Sequence, residues 1–193
     1  MSKITSHAGL VLTTAFIAVA ALATPAAAQA RGCAHANTSA AAAPRNVIKD
    51  TVVCLINEQR RDHGLPALRQ NSRLDRSAQG WTNTMVATDQ FTHGSDFTAR
   101  LTAAGFDWST AGENIATGFA TPRQVVDGWM ASTGHCQNIL NPQFTNVGTG
   151  VVARGITSLR SSAATWTQDF GLPMGAHSPS DNFGPADGCP YRV

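Results

Sequence analysis

Helical spacing of apolar residues governs the middle of this chain, and strict alternation governs its last third. From about Asn46, the residues Ile48, Val52, Leu55 and Ile56 fall on one face of a helix, and Gly64 stands where a left-handed cap would end it. In "NSRLDRSAQGWTNTMV" the residues Leu74, Ala78, Trp81 and Met85 repeat at helical intervals behind Asn71 or Ser72 as N-cap. Ser95 is the expected cap of a short third helix that carries Phe97 and Leu101 and stops at Gly105. Thr121 followed by Pro122 opens a fourth, with Val125, Val126, Trp129 and Met130 on its buried face. After Pro142, "FTNVGTGVVAR" and "ATWTQDFG" alternate and are rich in β-branched residues, which predicts an antiparallel pair of strands joined by "GITSLRSS". Helices first and strands last imply an α+β domain with helices packed on an antiparallel sheet.

The ends of the chain read differently. Lys3, the apolar run "AGLVLTTAFIAVAALA" and the small residues of "TPAAAQA" are the three parts of a secretory leader over residues 1–30, cut after Ala28 or Ala30. Its apolar run of about 16 residues is shorter than the roughly 20 that a spanning helix needs, and no later segment qualifies. A secreted, extracellular protein with no transmembrane segment in the mature chain is expected. Residues 31–46, rich in Ala, Ser, Thr and Pro, read as a flexible linker. The domain proper is expected over residues 47–171, and residues 172–193 read as a loop-like tail.

Four cysteines lie beyond the leader, and an oxidising destination makes two disulfides the expectation. Three pairings are open. We favour Cys33 with Cys54, which closes a short local loop, and Cys136 with Cys189, which pins the tail. The sequence lacks the Cys-x-x-Cys pair of a zinc knuckle. Net charge is +2, falling to +1 once Lys3 leaves with the leader, and no basic run exists to grip phosphates, so nucleic acid is not an expected partner. A monomer is expected.

Chemistry concentrates on a few positions. In "TAGENIATGFATP" the lone carboxylate Glu113 stands among small and apolar residues with no basic neighbour, so it needs partners from elsewhere in the chain. Of six histidines, His7, His35, His63 and His177 fall in the leader, the linker, a helix end and the tail. His93 in "FTHGS" and His135 in "STGHCQNIL" remain, each beside a glycine in a loop position suited to function. The sequence contains no His-Glu-x-x-His helix, no Gly-x-Ser-x-Gly elbow and no phosphate loop.

The ordered blocks "CLINEQRRDHGLPAL", "FTHG", "AGENIA", "VVDGWMASTGH", "NIL", "NVGTGVV" and "WTQDFG" closely resemble the secreted bacterial, SCP-like form of the CAP superfamily, the cysteine-rich secretory, antigen-five and pathogenesis-related type-one group. That resemblance covers residues 47–171 and implies a three-layer α-β-α sandwich with a central antiparallel sheet and an open cleft. It implies a cleft lined by His93, Glu113 and His135, with Ser132 where many relatives carry a second glutamate. Two imidazoles and a carboxylate could hold a divalent ion, zinc above all, with His93 and His135 as ligands. Alternatively, Glu113 fixes an imidazole tautomer from behind. Asn114 is expected to satisfy backbone groups around the site.

The resulting expectation is an extracellular binding or interaction module, for a small apolar or lipid-like ligand, a sterol, or a macromolecule of a host or cell surface. Its rivals are a zinc-dependent hydrolase or protease using His93, His135 and Glu113, with Glu113 as candidate catalytic base, and a cell-wall-associated protein.

Overall fold

The computed structural model describes residues 32–179 and 184–191, so the expected leader lies outside the described residues. Helix α1 (Arg45–Asp62) leads into the two-residue strand β1 (Arg69–Gln70), followed by α2 (Ser72–Thr88) and α3 (Phe97–Ala103). The long strand β2 (Trp108–Phe119) follows, then α4 (Pro122–Met130), α5 (Thr133–Ile139), β3 (Asn146–Val152) and β4 (Ala164–Pro173). One sheet runs in the order β1-β3-β4-β2. β4 pairs antiparallel with both β2 and β3, as expected for the last two strands, while β1 joins β3 in parallel and makes the sheet mixed.

The layers follow from alternation along the strands. Ala116, Val147, Val151, Trp166 and Phe170 face α1, α4 and α5, where they meet Ile48, Val52, Leu55, Val125 and Trp129 in the main core. On the other face Leu74, Leu101 and Phe106 pack against Trp108 and Ala111, and Met85 packs with Ile115 and Ile156, so α2 and α3 form the third layer. The expected α-β-α sandwich is therefore present.

Contact between α2 and the sheet depends on β3 lacking side chains toward it. A Cβ on Gly148 would lie 2.2 Å from the backbone of Leu74 and Asp75, and one on Gly150 would lie 2.4 Å from the Ala78 carbonyl oxygen. Backbone atoms cannot yield as a side-chain end can. Gly150→Ala is expected to destabilise by at least the ~1–3 kcal/mol typical of overpacking, read as a fall in the chemical denaturation midpoint.

The helix ends obey their local chemistry with one revision. Asn71 and Thr121 cap α2 and α4 through their side chains, and Gly64 and Gly105 take positive φ beyond α1 and α3. Asp96, not Ser95, caps α3: its carboxylate accepts from Ala99 N at 3.0 Å and from the Thr98 hydroxyl at 2.7 Å. Two charge-assisted bonds outcompete a single hydroxyl acceptor.

The segment read as a linker is instead a series of turns seated on the main core, with Cys33 buried and Ala36, Ala40 and Ala43 packed against it. Cys33 is bonded to Cys54 of α1, and Cys136 of α5 to Cys189 of the tail, which is the favoured pairing. Among the described residues no helix is long and apolar enough to cross a membrane.

Arg60 joins distant pieces of this frame. Fully buried on α1, it donates to the carbonyls of Pro66, Ile139 and Asn141 at 2.8 Å each. Burial lowers its pKa to about 10. The end of α5, and with it the position of His135, is thereby tied to α1.

Candidate functional site

Glu113 sits in the middle of β2, where the alternation that sends Ala111 and Ile115 toward the α2 layer sends its side chain the same way. Its side chain is 1% exposed. Both oxygens are engaged. His93, in the loop between α2 and α3, brings Nδ1 to 2.8 Å from Oε1, and Arg100 of α3 donates from Nη2 to Oε2. A carboxylate only accepts, so Nδ1 of His93 is the donor, which in the neutral ring leaves the lone pair on Nε2. The His93 side chain is 51% exposed, so this lone pair sits on an imidazole open to solvent.

Arg100 is the cation that sequence reading did not find. Besides Glu113 it donates from Nη1 to the His93 carbonyl at 2.9 Å, and its guanidinium lies over the Trp81 ring, 4.0 Å from the centroid. One side chain therefore holds the carboxylate and the histidine loop together and rests on α2. A Cβ on Gly94 would come within 3.0 Å of Trp81 and 3.3 Å of the guanidinium, and its φ of +74° also calls for glycine next to His93. In the sequence Arg100 only follows Phe97 by one helical turn, and no local signal marks it, because its partners come from β2, the histidine loop and α2.

His135 arrives from the opposite layer. β2 is an edge strand, so the α3 side and the α5 side approach one another across it. Two amides on the α5 face make the link. Asn114 donates from Nδ2 to the His135 carbonyl at 3.2 Å, while Asn138 donates to the Glu113 carbonyl at 3.1 Å and to Asn114 Oδ1 at 2.8 Å. Asn114 thus turns away from the Glu113 carboxylate and anchors α5. Ser132 is the extended residue before α5 and makes no side-chain capping bond.

The structure brings His93 onto Glu113 and holds His135 at the adjoining edge. Among the described residues, the only three potential ligand atoms within 4.8 Å of one another belong to Cys33, Cys54 and Glu58, and those cysteines form a disulfide. His93, Glu113 and His135 do not close into a three-donor set. Glu113 already accepts from His93 on one oxygen and from a guanidinium on the other, the arrangement of a residue that orients an imidazole.

Burial, and then the nearby His93, lower the His135 pKa. The unfolded chain therefore takes up this proton first, so the group costs stability as pH falls through about 6.5. Histidine NMR is expected to give His135 a midpoint below that of an exposed histidine, and His135→Gln should flatten the acid limb of stability against pH.

Comparison with known proteins decides the lineage. Residues 53–170 match the Cysteine-rich secretory protein family, CAP. The chain belongs to this family. It is 37% identical over 151 residues to the uncharacterized protein YkwD of Bacillus subtilis, covering 75% of this chain and 55% of that one. It is 33% identical over 104 residues to the uncharacterized membrane protein YlbC of the same organism, covering 52% of this chain and 30% of the other. The chain thus spans about half or less of these relatives. An extracellular protein containing an SCP domain from Bacillus anthracis superposes with a TM-score of 0.59 at 30% identity, over 65% of this chain and 40% of that one. An outer surface protein of Borrelia burgdorferi shares the fold, with a TM-score of 0.56 at 19% identity over 64% of this chain and 91% of its own.

Proposed function

We propose that this CAP chain is secreted and works outside the cell as a binding or interaction module whose cleft is organised, and not powered, by Glu113. The observation that carries the reading is the double engagement of that carboxylate. Each oxygen already accepts a hydrogen bond, one from an imidazole N–H and one from a guanidinium, and with the side chain 1% exposed the carboxylate is not open to the water that a general base must reach. Two disulfides and the extracellular character of the Bacillus anthracis relative support the location. Phe91, two residues before His93, is 37% exposed and offers an aromatic surface beside the histidine loop, which favours an apolar or lipid-like ligand.

The test is turnover. Purified mature protein is expected to leave peptide, ester and glycan substrates intact with or without added zinc, while binding lipid-like probes. Hydrolysis that disappears in Glu113→Ala would overturn the proposal and favour the zinc hydrolase. In that second reading, supported by the pair of imidazoles, His93 Nε2 and His135 would hold the ion and Glu113 would fix the tautomer. Zinc titration followed by histidine NMR reads that step by itself.

A further inference from the structure

The register of the two long strands sets Asp169 of β4 directly opposite Glu113 of β2. Thr167, two residues earlier on β4, bonds to Thr82 of α2, so Asp169 shares that face with Glu113 beneath α2. Asp169 is fully buried. Around it stand Glu113 from β2, the Ser77 hydroxyl from α2 and the Arg100 guanidinium from α3, while its partner on β3 is Gly148, which has no side chain. His93 lies beyond, on Glu113.

The polar groups here do not balance as two carboxylates. Ser77 Oγ, Arg100 Nε and both Asp169 oxygens are buried without a well-formed hydrogen bond. A single guanidinium faces two acids, and it is already committed to Glu113. Two adjoining buried carboxylates with one cation cannot both ionise at modest cost, and a proton shared between them resolves the excess. With the proton on Asp169, its O–H donates to Glu113, and the Ser77 hydroxyl donates to the other Asp169 oxygen. The orphaned atoms of the acid are then used.

We propose that Asp169 is a second carboxyl of this site, held in its protonated form, and that it acts as a positioning residue by donating a hydrogen bond to Glu113, the carboxylate that holds His93. This concerns how the cleft is built and stands apart from what the cleft binds. Burial, and then the Glu113 charge, hold the Asp169 carboxyl well above the usual carboxylate range. A raised folded-state value means that the stability it confers is complete below about 3.9 and is lost as pH rises through the folded-state value.

Carbon-13 NMR of the aspartate carboxyls in the mature chain, assigned by the resonance missing from Asp169→Asn, tests the protonation directly. Asp169 is expected to keep the shift of a neutral acid through the range where ordinary aspartates titrate. A midpoint near the ordinary value of about 3.9 would overturn the proposal. Positioning is tested by the His93 nitrogen shifts. Asp169→Asn, whose amide can donate the same bond, should preserve the Nδ1–H signature, and Asp169→Leu, of similar size without a donor, should lose it. Equal His93 spectra in the two variants would overturn the positioning role. If the leucine variant does not fold, the carboxyl titration of the unmodified protein decides alone.

Discussion

Replacing Arg100 with methionine is expected to cost about 3–5 kcal/mol of folding stability, because it leaves Glu113 buried without its cation. The substitution keeps an unbranched apolar stem against Trp81 while removing the guanidinium stacked on that ring. Most of the loss should come from the stranded charge. Adding Glu113→Gln to Arg100→Met should therefore recover part of the stability, and a double-mutant cycle by chemical denaturation should show strong coupling. Additive effects would mean that the two side chains do not meet.

Breaking the disulfide between Cys136 and Cys189 is the second large effect. Its loop separation of 53 residues corresponds to about 4 kcal/mol of denatured-state entropy, against about 3 kcal/mol for the 21-residue separation of Cys33 and Cys54. The bond carries more than entropy, since Cys136 is fully buried in α5 beside His135. It holds the tail where Tyr191 N donates to the Met130 carbonyl at 3.0 Å and the Tyr191 ring meets His63 with centroids 4.2 Å apart. The paired Cys136→Ala and Cys189→Ala substitutions should lower the denaturation midpoint more than removal of the first disulfide. They should also broaden the His135 resonances. An unchanged His135 spectrum would show that α5 holds its place without the tail.

What the sequence displayed of this fold follows from which elements have one exposed face. α1, α2 and α4 each bury one stripe, so their periods are plain, and β3 and β4 are rich in β-branched residues. β2 was hidden because Glu113, Asn114, Ile115 and Ala116 are all buried, helices cover both faces of the sheet, and the segment is built of small residues without alternation. α5 is seven residues long and shows no period; the disulfide, the Arg60 contact and the Asn114 and Asn138 bonds set its place, and all four are tertiary. At the site, His93 and Glu113 could be singled out as residue types in unusual settings. Arg100 and Asp169 could not, since one looks like a surface arginine and the other like a polar residue in a strand until register and layer order bring them to Glu113.

The site is built on Glu113 holding His93 in a single tautomer. Long-range nitrogen–proton correlation NMR of the mature protein at neutral pH tests it most directly. The expected spectrum shows a neutral His93 with its proton on Nδ1 and a bare Nε2, a pattern lost in Glu113→Ala. A His93 carrying its proton on Nε2, with a spectrum indifferent to Glu113, would contradict it.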